Sequence, residues 1–251
     1  IQRNAIQSWS RLGDGVDVLV IGDEPGLRDA VEDLDVLIIP EVERNDLGTP
    51  LISSIFDQAR KHSPGELLVY VNADIILLPD TLEVIGGVDR LVEEYLLVGK
   101  RWDLDVSYPV NFEPGWADAL RDRLEKEGRR RKFTAIDFFI FPRQQFHQIP
   151  PFAVGRAGWD NWMIFHAMQE NWQVIDLTPS LDVVHQNHDY RHLPQGKPHY
   201  DLEESFQNVS LGGGMPALYD LLDVKYHYQD REIRRIGPTL PRLLRKRSSS
   251  W

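Results

Sequence analysis

The sequence predicts an α/β protein with a mainly parallel central sheet, and three observations lead to that class. Short apolar runs at residues 16–24, 35–42 and 65–78 predict buried strands. Residues 48–63 carry apolar side chains at helical spacing, which predicts an amphipathic helix. Strands that alternate with helices along a chain are typical of α/β domains.

The elements after residue 78 continue this alternation. In chain order they are a helix from Thr81, a strand within residues 95–106, a charged helix at 115–133, a strand ending at Pro142, a helix at 158–172 opened by Asp160, and two short strands within 173–190. A Gly- and Pro-rich stretch at residues 210–221 predicts a loop. We therefore expect one domain over residues 1–200 and an appendage over residues 201–251.

Composition limits the classes of function. The 251-residue chain is 42% hydrophobic and 27% charged, which suffices for a substantial core. It has no cysteine, so disulfides and thiol catalysis are excluded and a reducing, cytoplasmic location is expected. No apolar run is long enough to span a bilayer.

The net charge of −11 argues against nucleic acid as a partner. The basic stretch over residues 231–251 reverses the sign locally. Two interpretations stay open for it: a solvated end, or a peripheral contact with phosphate or a membrane face.

Asn72 and Asp74 interrupt the apolar run at residues 65–78. Residues i and i+2 at the end of a strand lie on the same side, so both oxygens can face one ligand beyond the strand. One carboxylate and one amide suit Mg²⁺ or Mn²⁺, whose shells are completed by water and substrate phosphates. The alternative is that Asp74 caps the helix that begins near Thr81.

Histidines are concentrated late in the chain: four of the eight, His185, His188, His192 and His199, share one fifteen-residue window. Such clusters indicate metal ligation, with a polar loop rich in His by chance as the alternative. His185 and His188 are the better candidates because they follow an apolar run at a predicted strand end. Imidazole ligands favour Mn²⁺ over Mg²⁺.

Asp160 lies in the sequence Gly-Trp-Asp-Asn-Trp, at a predicted helix start. It is either a plain N-cap or a carboxylate in a partly apolar wall. In the second case its pKa would rise toward that of a usable general base.

Taken in order, these motifs resemble a nucleotide-sugar-dependent glycosyltransferase of the GT-A fold, most like the broad family 2 type. In that family an acid after the second strand holds the nucleoside, a place matched here by Asp23 and Glu24. A segment of the form Arg-Asn before a helix packs against the nucleotide, as Arg44 and Asn45 would. The segment Asn72-Ala73-Asp74 is similar to the family's metal-binding Asp-x-Asp.

The resemblance covers about residues 1–190 and implies a metal-assisted sugar transfer. Asp74, His185 and His188 would bind Mn²⁺ or Mg²⁺, and Asp160 would deprotonate a hydroxyl acceptor and give inversion. Among the donor-binding residues, Lys100 and Arg101 would add positive charge near the diphosphate. Trp102, Trp159 and Trp162 could stack on sugar faces or pack in the core.

Two departures from the family pattern leave other functions open. Asn72 replaces the first acid of Asp-x-Asp, and the family's first strand would lie before Ile1 or be absent. The alternatives are a sugar-phosphate nucleotidyltransferase and a catalytically silent nucleotide-sugar-binding protein. A retaining reaction is also open.

Overall fold

The computed structural model describes residues 1–189 and 199–248, and within them the protein is α/β, as predicted. The helices are α1 (Gln2–Trp9), α2 (Leu27–Val31), α3 (Ile52–His62), α4 (Thr81–Asp89), α5 (Trp116–Glu127), α6 (Trp159–Gln169), α7 (Glu203–Leu211) and α8 (Leu240–Ser248). The strands are β1 (Leu19–Ile21), β2 (Leu37–Ile39), β3 (Leu67–Val71), β4 (Ile75–Leu77), β5 (Tyr95–Val98), β6 (Trp102–Leu104), β7 (Arg129–Arg130), β8 (Phe138–Pro142), β9 (Gln173–Asp176), β10 (Val183–Gln186), β11 (Tyr226–Gln229) and β12 (Glu232–Arg235).

The largest sheet in the described chain is mixed, so the expectation of a mainly parallel sheet is corrected. Its order is β12-β11-β9-β5-β8-β3, and only β11–β9 and β9–β5 are parallel neighbours. Strand β8 is antiparallel to both β5 and β3. The reason is the route of the chain, which passes through β6, α5 and β7 and enters β8 from the end of the sheet at which β5 leaves.

A second sheet of order β4-β10-β6-β7 lies beside the first. Strand β10 is antiparallel to β4 and parallel to β6. The predicted strand at residues 65–78 is therefore two strands: β3 belongs to the large sheet and β4 to the small one. Residues 72–74 form the connection between them.

The core lies on both faces of the large sheet, and β8 shows how. Phe139 and Phe141 pack with residues of α3 and α6, whereas Phe138 and Ile140 pack with residues of α1 and α4. This alternation follows from the two-residue period of a strand with both faces covered. The helix predicted from Thr81 and the strand end predicted at Pro142 are confirmed.

Residues after 200 share this core. Strand β11 pairs with β9 at the edge of the large sheet, and β12 pairs with β11. The predicted boundary at residue 200 falls just ahead of α7. Among the described residues, no helix has the length and apolar character needed to cross a membrane.

Candidate active site

Asp74, His185 and His188 converge where the two sheets meet. Oδ2 of Asp74 lies 3.0 Å from Nε2 of His188 and 3.5 Å from Nε2 of His185. One ligand atom from each residue lies within 4.8 Å of the others. The structure thus brings together the three residues predicted to bind metal.

The small sheet produces this convergence. His185 lies in β10, level with Ile75 of β4 on one side and with Asp103 of β6 on the other. Asp74 directly precedes Ile75, so it meets one edge of the imidazole. Oδ1 of Asp103 lies 3.3 Å from Nδ1 on the opposite edge. The alternative that Asp74 caps α4 is excluded, because the N-cap position of that helix is Asp80.

The charges and orphaned atoms of this cluster fit a divalent cation. Oδ1 of Asp74 is buried and makes no hydrogen bond within the described chain. Burial would raise the pKa of Asp74, but the two imidazoles outweigh it and lower that pKa. Asp74 is therefore an ionised carboxylate, and one of its oxygens is buried without a hydrogen-bond partner in the described chain. One carboxylate and two imidazoles form a mixed set that suits Mn²⁺ better than Mg²⁺.

Asn72 points away from this cluster. Its Oδ1 accepts a hydrogen bond of 3.0 Å from the hydroxyl of Tyr70, and its Nδ2 donates one of 3.0 Å to Asp137. Its backbone N–H also donates to the carbonyl of Asp137. The side chain of Asn72 therefore holds β3 to the start of β8, and Asp74 is the residue of this segment that contacts the two histidines.

Arg101 joins this network from the loop between β5 and β6. Its guanidinium contacts Oδ1 of Asp137 at 2.5 Å and Oδ1 of Asp103 at 3.0 Å. Burial would lower the pKa of Arg101, but the charges of Asp137 and Asp103 raise it. Asp74 acts in the same direction, so Arg101 lies within electrostatic reach of the cluster of Asp74, His185 and His188.

Asp160 is the second residue of α6, and its environment raises the pKa of its carboxyl group. The N-cap position is Gly158, whose N–H donates to Oδ1 of Asp160 at 3.1 Å, so Asp160 is not a plain N-cap. Burial raises the pKa of Asp160 to about 6, against backbone N–H groups that lower it, and Asp137 adds to the rise. A carboxylate with such a pKa can accept a proton near neutral pH.

No protein-family model matches this sequence, and no curated protein shows a significant match to it.

The residues predicted to hold a nucleoside form a second cluster. Arg44 contacts Oδ1 of Asp23 at 2.5 Å and Oε1 of Glu24 at 3.3 Å. Asp23 and Glu24 line a cleft of about 260 Å³ at the carboxyl ends of β1 and β2. The carboxyl ends of parallel strands are the usual ligand side of an α/β sheet.

Asn45 is held by Glu204 of α7. Its Nδ2 donates to Oε1 of Glu204 at 2.8 Å, and Oε2 of the same carboxylate lies 2.6 Å from Nε of Arg156. Burial would raise the pKa of Glu204, but hydrogen bonds from Thr49, Asn45 and Arg156 lower it. A residue outside the predicted domain therefore links the loop of Asn45 to the segment before Asp160.

Lys100 faces a different region from Arg101. Its Nζ lies 3.7 Å from the centroid of the Phe133 ring, and burial lowers its pKa. Three tryptophans were candidates for stacking on a sugar. The ring centroid of Trp159 lies 5.0 Å from that of Tyr70, and Trp162 is buried. The indole N–H of Trp102 donates to Asp182 at 2.7 Å. His192 lies outside the described residues, and the side chain of His199 is not described.

Two site residues were missed in the sequence analysis. Asp137, which is 7% exposed, contacts Arg101 and Asn72 and has an Oδ2 without a partner in the described chain. Asp103 flanks His185. Both are acids beside or within apolar strand residues, a signal that the sequence does contain.

Proposed function

We propose that the protein is a nucleotide-sugar-dependent glycosyltransferase of the GT-A type that transfers a sugar to a hydroxyl acceptor. One observation supports it most: Asp74 of the candidate cation triad and Asp160, the carboxylate of raised pKa, both act electrostatically on one buried hydroxyl, that of Tyr70, and Trp159 beside Asp160 packs on the Tyr70 ring. Burial first, and then the negative charges of Asp74, Asp137 and Asp160, raise the pKa of the Tyr70 hydroxyl. A donor diphosphate and an acceptor hydroxyl need these two kinds of group side by side.

On the donor side, Asp74, His185 and His188 would hold the cation. When bound, a divalent cation neutralises the charge that develops on the diphosphate leaving group. Asn72 and Arg101 fix Asp137 and so keep the strand ends in register. Asp23, Glu24 and Arg44 provide hydrogen-bonding groups for the nucleoside.

On the acceptor side, Asp160 would remove the proton from the acceptor hydroxyl. The acceptor oxygen then bonds to the anomeric carbon while the bond from that carbon to the diphosphate oxygen breaks. The proton ends on Asp160, and the nucleoside diphosphate leaves. A single displacement of this kind inverts the anomeric configuration, and a pKa near the working pH is the property that general base catalysis requires.

The decisive experiment measures binding and turnover separately. UDP-, GDP- and dTDP-sugars are titrated into the protein by calorimetry with Mn²⁺ and again with a chelator. We expect one donor class to bind only with Mn²⁺, and Asp74→Asn to weaken that binding by roughly tenfold or more. Asp160→Asn should bind the donor normally and lose transfer. Asp118→Asn, an exposed acid on α5, is the matched control.

Three results would contradict the proposal. Full transfer by Asp160→Asn would remove the assigned base. Release of pyrophosphate from a nucleoside triphosphate and a sugar phosphate would identify a nucleotidyltransferase. Donor binding by the unaltered protein, without transfer or donor hydrolysis in Mn²⁺, would identify a silent binding protein.

A further inference from the structure

Helix α8 exposes a row of leucines. Leu240, Leu243 and Leu244 are 70%, 50% and 57% exposed. Their spacing of three and four residues places them on one face of the helix. Three exposed leucines on one face of a nine-residue helix form an apolar surface in contact with water. We therefore expect this face to contact an apolar partner.

Arg242 attaches the other side of α8 to the fold. Its guanidinium donates to the carbonyl oxygens of Leu221 and Leu222 at 2.9 Å each, and to that of Val224. The leucine face is therefore turned away from the body of the protein. The helix is held in place with its apolar side outward.

The sequence around α8 is basic in an otherwise acidic protein. Residues 231–251 hold seven of the 28 basic residues and one of the 39 acidic residues. Arg245, Lys246 and Arg247 directly follow the leucines. A helix with leucines on one face and Arg or Lys beside them is typical of segments that lie in a membrane interface.

We propose that α8 binds the surface of an anionic lipid membrane, with its leucine face in the acyl boundary and the positive charge of the surrounding sequence attracted to the headgroups. Charge and apolarity together favour this partner. Nucleic acid would attract the basic residues but offers nothing to the leucines. A second copy of the chain would cover the leucines but would bring two basic segments together. The inference does not depend on the proposed function.

Vesicle co-sedimentation of the full chain tests the proposal. We expect binding to phosphatidylcholine vesicles that contain about one-third phosphatidylglycerol, weakened by salt, and no binding to phosphatidylcholine alone. Replacing Leu240, Leu243 and Leu244 by Ser should weaken binding at least about tenfold. Because these side chains are exposed, the thermal midpoint should not change. Leu47→Ser with Leu91→Ser is the control, since both leucines are at least as exposed as Leu243 and lie elsewhere.

A charge variant tests the second half of the proposal. Arg245→Gln with Lys246→Gln should weaken binding by roughly fivefold per charge, whereas Lys126→Gln with Arg129→Gln should not. Equal binding to both vesicle types, or binding unchanged in the leucine variant, would overturn the proposal. Two other results would also overturn it. One is DNA binding that the leucine variant retains. The other is a protein that does not bind vesicles but forms a dimer, when the leucine variant loses that dimer.

Discussion

Nε2 of His188 lies 3.0 Å from Oδ2 of Asp74, although 114 positions separate the two residues in the chain. The contact closes the triad that His185 begins. The triad therefore depends on the folded arrangement of β4 and β10, so a cation that binds it should stabilise the native state over the unfolded chain.

The first prediction concerns that linkage. Adding Mn²⁺ at about 100 times its dissociation constant should stabilise the protein by about 2.7 kcal/mol, because only the folded chain presents the triad. Thermal unfolding with and without a chelator measures it. His188→Ala should lose most of the shift, and His62→Ala, an exposed histidine at the end of α3, should keep it. An equal shift in both variants would place the cation elsewhere.

The second prediction concerns Asp103. Oδ1 of Asp103 lies 3.3 Å from Nδ1 of His185, which makes no hydrogen bond in the described chain, so the carboxylate is placed to orient this imidazole when Nε2 binds a cation. Asp103→Asn should lower Mn²⁺ affinity by about tenfold, as measured by calorimetry. Asp118→Asn again serves as the control. Unchanged affinity would mean that Asp103 serves only the ion pairs with Arg101 and Arg131.

The third prediction concerns pH and Asp160. Its folded pKa of about 6 is above the ordinary value of 3.8, so the folded state prefers the protonated form. The contribution of Asp160 to the free energy of unfolding is fully present below pH 3.8 and is lost as the pH rises through about 6. Asp160→Asn should therefore stabilise the protein above pH 6 by up to about 3 kcal/mol. Urea unfolding at two pH values measures this difference.

Transfer should show the opposite pH dependence. The base form of Asp160 accumulates only above about pH 6, so the rate should fall as the pH drops below that value. A transfer rate that does not change between about pH 5 and about pH 7, a range that spans this pKa, would exclude Asp160 as the base.

The fourth prediction concerns α7. Asn208, only 1% exposed, accepts from the N–H of Ala153 and donates to its carbonyl, at 2.9 and 3.0 Å. Asn208→Ala leaves both backbone groups buried and unpaired, so it should cost about 1–3 kcal/mol of unfolding free energy. Gln207→Ala, on the exposed side of the same helix, should change stability by less than about 0.5 kcal/mol. Chemical denaturation measures both.

Local pattern in the sequence predicts much of the fold. The apolar runs locate β1, β2 and β8, and the helical spacing locates α3, because these elements bury continuous or periodic apolar surface. The strands β11 and β12 were missed, since the half-buried residues of β11 and the mostly exposed residues of β12 form no continuous apolar run.

The candidate site is less predictable because its geometry depends on register and distant contacts. The convergence of Asp74, His185 and His188 was predicted from strand ends. The role of Asn72 was not, because its partner Asp137 lies 65 positions away. The flanking of His185 by Asp103 follows from the pairing of β10 with β6, which no local pattern specifies.

The carboxylate of Glu204 bears on how this protein can be shortened. It bridges Asn45 and Arg156, and the side chains of Glu204 and Arg156 are both mostly buried. A chain terminated at residue 200 would leave the Arg156 guanidinium without its counter-charge and the Ala153 backbone without Asn208. Removing one member of a buried ion pair costs about 3–5 kcal/mol. The smallest stable unit for expression should therefore include α7, and it should extend through β12 to keep the pairing of β11 with β9 and β12.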